Sequence, residues 1–121
     1  MSPFRLILFL SVLTMSLSAC YYDVEEELYP AGCNIDSVGF AADIFPIINQ
    51  NCLICHSDAA NFGNVSLADY SKVKRYADDK SLLGSVRHES GYSPMPQGQA
   101  KLSKCDIEKI DKWIAEGAKN N

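Results

Sequence analysis

The chain has 121 residues, with 11 Lys and Arg against 15 Asp and Glu, and 47% of it is apolar. That is material for one small domain, which excludes a large multidomain catalyst. The formal charge of −4 leaves no basic face for phosphate groups, so a nucleic-acid partner is excluded as well.

The first element is a leader. Arg5 precedes an apolar run from Leu6 to Leu17, about a dozen residues and short of the roughly 20 that a membrane span needs. Leu17-Ser18-Ala19-Cys20 closes it and resembles the lipobox of bacterial lipoproteins. The resemblance implies cleavage after residue 19 and lipid on Cys20; an ordinary secretory signal or a short anchor helix are the alternatives. Several acyl chains anchor a protein stably where one chain is marginal, so the expected location is a membrane surface outside the cytoplasm. The outer membrane of a Gram-negative bacterium, on its periplasmic side or at the cell surface, is the expected place.

Residues 20–37 read as a tether: Glu25, Glu26 and Glu27 form a solvated charge run, and Pro30 and Gly32 are turn formers. Residues 38–121 then carry the domain. Phe40, Ala41, Ile44, Phe45 and Ile48 recur at helical spacing, which predicts an amphipathic helix over 40–51, with Pro46 kinking it or restarting its first turn. Ser66-Leu-Ala-Asp69 reads as a capping box opening a second helix, with Tyr70, Val73 and Ala77 on one face. A short third helix is expected over 81–87, and the Gly- and Pro-rich stretch 89–99 is expected to be loop. Ser103-Lys-Cys-Asp106 caps a last helix with Ile107, Ile110 and Ile114 in a stripe and Gly117 near its end. No segment reads as a regular strand, so the fold class is all-α.

Cys52-Leu-Ile-Cys55-His56 follows the first helix, and Cys-x-x-Cys-His is the spacing of covalent haem attachment. Two thiols on one helical turn reach the two vinyl groups of a porphyrin, and His56 then stands under the iron as a metal ligand. A zinc site would need four ligands, and the rest of the chain offers His88, Cys33, Cys105 or carboxylates at awkward spacing. A thioredoxin-like dithiol is expected after a strand, and the pattern here is helical. Met95, held between Pro94 and Pro96, is the expected sixth ligand, with His88 as its rival. In a fold drawn without the haem, an artificial cavity is accordingly expected between Cys52, His56 and Met95. Cys33 and Cys105 remain as an even pair in an oxidising compartment, so a disulfide is expected between them, with two unpaired buried thiols as the alternative.

The order of these elements, from Phe40 and Ile44-Phe45-Pro46 through the Cys52–His56 run and Pro94-Met95-Pro96 to Ile107, Ile110, Trp113, Ile114 and Gly117, resembles the small bacterial class I cytochromes c. The resemblance covers residues 38–118. It implies a cytochrome c-like fold of three to four short helices around one covalent haem c, in which the first and last helices cross. It also implies a mono-haem one-electron carrier rather than an enzyme, with iron held by His56 and Met95 and redox proteins as partners. The alternatives are a five-coordinate haem enzyme or gas sensor, and a binding or structural lipoprotein without redox turnover. The acidic charge points to docking weakened by salt, and Lys72, Lys74, Arg75 and Lys80 read as a solvated helix face.

Overall fold

The computed structural model describes residues 32–121; the expected leader, Cys20 and most of the tether lie outside the described residues. Those described form an all-α arrangement of five helices with no strand among them. They are α1 (Phe45–Asn51), α2 (Leu53–His56), α3 (Tyr70–Asp78), α4 (Ser81–Val86) and α5 (Lys104–Ala115).

The first amphipathic stretch is broken where Pro46 requires it. A π-helical turn over Phe40–Ile44 leads into α1, and Pro46 sits in the first turn of α1, where its missing N–H costs no bond. The stretch ends at Cys52, whose backbone (φ −121°, ψ −39°) leaves helical geometry before α2 restarts.

α3 differs from expectation at its start. Asp69, not Ser66, is the N-cap: its backbone is extended and its side chain accepts from the Lys72 amide. Ser66 instead donates to Asp58 Oδ1 at 2.6 Å. The expected apolar face holds, with Val73 and Ala77 buried and Tyr70 half-buried against the core. The cations of the outer face are partly neutralised, since Lys72 bridges Asp58 and Asp69 and Lys74 bridges Asp78.

α5 is capped as the sequence indicates, with Ser103 Oγ accepting from the Asp106 amide at 3.1 Å. It ends in a Schellman motif: Gly117, at φ +94°, donates to the Ile114 carbonyl, and Ala118 donates to that of Trp113. Trp113 is the largest side chain of the core and packs on Phe40, which also meets Tyr70 edge to face. Every buried polar function here has a partner: Trp113 Nε1 donates to the Lys119 carbonyl and Tyr70 Oη to that of Ala118, both at 2.8 Å.

The last helix therefore lies against the π-turn that precedes α1. Lys109 Nζ reaches Asp43 Oδ1 at 2.9 Å across this contact, and that hydrogen bond, with one from the Gly39 amide, holds the Asp43 carboxyl below the usual carboxylate range. Cys33 and Cys105 form a disulfide, as expected from the cysteine count, and it ties the entry of the domain to the first turn of α5.

Candidate functional site

A cleft of about 640 Å³ opens between α1–α2 on one side and α4 with the 91–99 loop on the other. The residues expected to act together, Cys52, Cys55, His56 and Met95, all line it, so the hollow lies where the sequence places it. Leu67, Leu82, Val86 and Leu102 supply an apolar floor. Ile54 (82% exposed), Phe62 (61%) and Tyr92 (37%) stand at its mouth and are the large exposed apolar side chains of the described residues. No Lys, Arg, Asp or Glu lines it. A second, shallower hollow runs along the outer face of α3 past Tyr70, Lys74 and Asp78 and holds none of these groups.

Local backbone geometry sets the floor. Cys55 and His56 donate their amides to the Cys52 carbonyl, which brings both residues round one turn. After α2, left-handed backbone at Asn61, Gly63 and Asn64 reverses the chain, so that the Leu67 amide reaches the His56 carbonyl at 2.7 Å. His56 Nδ1 lies 3.2 Å from the Val65 carbonyl; donating there leaves the lone pair of a neutral imidazole on Nε2. Burial pushes the Cys52 thiol up to about 11, so at neutral pH it is a small, weakly polar wall group and a poor nucleophile.

On the other wall, Met95 is half-buried, and both polar atoms of its backbone are engaged. Its N–H donates to the Ser85 carbonyl and its carbonyl accepts from His88 Nε2, both at 3.0 Å. The peptide that follows, Met95–Pro96, is cis. Tyr92 lies on the backbone of α4 at Gly84, where its ring leaves no room for a Cβ. Neither contact is visible as a motif; a glycine inside the short helical pattern of 81–87 is the one signal for the Tyr92 contact.

The haem expectation is corrected by these findings. Among the described residues no group of three or more His, Cys, Asp or Glu side chains comes together that could hold a metal ion. Cys52, Cys55 and His56 follow one another round a single turn without converging on a point where a metal ion could sit, and the other sulfurs and imidazoles add nothing to them. Cys33 and Cys105 are bonded to each other, His88 is turned onto a carbonyl, and Cys52 and Cys55 are free thiols. No protein-family model, curated protein or solved structure matches the chain. The assignment to the class I cytochromes c is withdrawn accordingly. With it go haem c as cofactor, iron held by His56 and Met95, the one-electron carrier, and the alternative of a haem enzyme or gas sensor. No structural match supports the cytochrome c-like form of the fold either, and the all-α, five-helix description stands by itself.

Proposed function

We propose that the protein is a lipid-anchored binding module, held outside the cytoplasm, whose cleft takes one uncharged and largely apolar small molecule. The observation that carries this reading is the cleft itself. Its volume falls in the range of small-molecule sites, roughly 300–1,000 Å³. Its walls also hold no formally charged side chain in a chain that is 21% Asp, Glu, Lys and Arg. A charged ligand would leave its solvation shell for walls that offer it no counter-charge, which disfavours it strongly. Hydroxyl and amide groups of Ser81, Ser85, Gln97 and Gln99 provide the few polar contacts that orient a bound molecule.

Binding rather than turnover is favoured by the state of one of the two thiols that line the cleft, since burial holds Cys52 in its neutral form. The lipid anchor and the location rest on the sequence before Cys20. They set the protein at a membrane surface, where apolar molecules accumulate.

Native mass spectrometry of the protein isolated from the envelope of producing cells tests the reading. The expected result is one additional organic molecule per chain, absent from a Ser85→Phe variant in which the cleft is filled. A native protein that carries nothing, and that takes up no neutral apolar dye such as Nile red, overturns it.

A further inference from the structure

We infer that His88 is a positioning residue for the cleft: it sets Met95 into the wall without touching the bound molecule. His88 is not among the residues that line the cleft, whereas Met95 is. The imidazole is instead committed to the main chain, with Nε2 at 3.0 Å from the Met95 carbonyl. That contact has a counterpart on the other side of the same residue, where the Met95 amide donates to the Ser85 carbonyl at 3.0 Å. Met95 is thus held by both of its backbone polar atoms, while Ser93, Pro94 and Gln97 to Ala100 around it are exposed. Met95, fixed on both sides and half-buried, brings a long, flexible apolar side chain into the wall, where a loose backbone would let it sample many positions.

The geometry of the turn supports the assignment. His88 has φ +55°, a left-handed conformation that a residue with a side chain adopts at an energetic cost. The turn just before it is held at a second point, because Arg87 Nη2 reaches Asp111 Oδ2 of α5 at 2.7 Å. The turn after α4 is therefore fixed against α5, and the imidazole extends from it to the loop. The Met95 carbonyl can only accept, so His88 Nε2 is the donor of this contact.

The geometric part of this inference stands alone; its effect on affinity rests on the binding reading above, and two readouts separate them. The full chain has three methionines, so methionine labelled with ¹³C at the methyl carbon gives few signals, and Met95→Leu identifies the one from Met95. In His88→Ala the Met95 methyl signal is expected to move to the position of a freely exposed methionine, with Nile red binding weakened about five-fold, as for one lost hydrogen bond. His88→Gln, which brings an N–H to nearly the same place, is expected to restore both; His88→Asn is too short and should not. This pair decides the question even where the alanine variant fails to fold. An unmoved methyl signal in folded His88→Ala, or indistinguishable Gln and Asn variants, overturns the inference. Failure of the unaltered protein to take up Nile red overturns the binding reading instead, and the methyl signal still decides the positioning.

Discussion

Cys52 is where the chemistry of a single residue is most sharply set by its surroundings. Its thiol is raised from the ordinary 9.0 to about 11 by burial alone, because the thiolate would lose its water without gaining a cation. The folded state therefore binds a proton that the unfolded chain gives up earlier. The contribution of Cys52 to stability should be constant below about pH 9 and fall as pH rises from about 9 to about 11. Urea unfolding at pH 8 and pH 10.5, for the native protein and for Cys52→Ser, checks this, and the serine variant should lack the decline. Alkylation of folded, unreduced protein gives the matching kinetic result. Among the described residues two labels are expected, at the free thiols Cys52 and Cys55, with Cys52 reacting slowly until strongly alkaline pH, and none at Cys33 or Cys105. Absence of label at Cys52 and Cys55 in the denatured, unreduced protein would overturn the assignment of both as free thiols.

Among the elements, α5 depends most visibly on its two ends. Gly117 at φ +94° lets two carbonyls of the last turn find donors, and no neighbouring atom stands within 4 Å of where its Cβ would be. Gly117→Ala should thus cost stability through backbone conformation alone, roughly 1 kcal/mol, read as a lower midpoint in urea with an unchanged slope. How far such features can be read in advance depends on how local they are. Pro46 announces the restart of α1 because its missing N–H acts within one turn, and Ser103 announces α5 because its cap bond spans three residues. Ser66 misleads because Ser66-x-x-Asp69 contains two residues able to cap, and only the local partners decide between them: Asp58 takes Ser66, which leaves Asp69 to Lys72. The cleft residues could be picked out by their chemical types, yet their roles could not. That His56 Nδ1 turns to Val65 and His88 Nε2 to Met95 depends on loop conformations across nine and seven residues that no periodic pattern encodes.

At the scale of the whole molecule, the long-range ties compensate for a small core. The Cys33–Cys105 disulfide spans 72 residues and enters α5 at its first turn, close to Leu102 on the cleft floor. Closing a loop of that length restricts the unfolded chain by roughly 4 kcal/mol in the chain-entropy description. For a domain of this size that is a large share of net stability. The double variant Cys33→Ser with Cys105→Ser should unfold at clearly lower urea concentration, and reduction of the native protein should lower the midpoint to the same place. Equal midpoints for oxidised and reduced protein would show that the bond joins segments already held together by packing.

Residues 118–121 contribute in another way. Asn121 accepts from the Phe40 amide through its side chain and from the Ala41 amide through its backbone, while Ala118 and Lys119 receive Tyr70 and Trp113. The acceptor of the Phe40 amide is thus separated from it by 81 positions. A chain made from its amino end must hold this opening turn incomplete until residue 121 has been added. Phe40 and the indole of Trp113 therefore reach their final setting only with the last residues to be made, after the first helix is already complete.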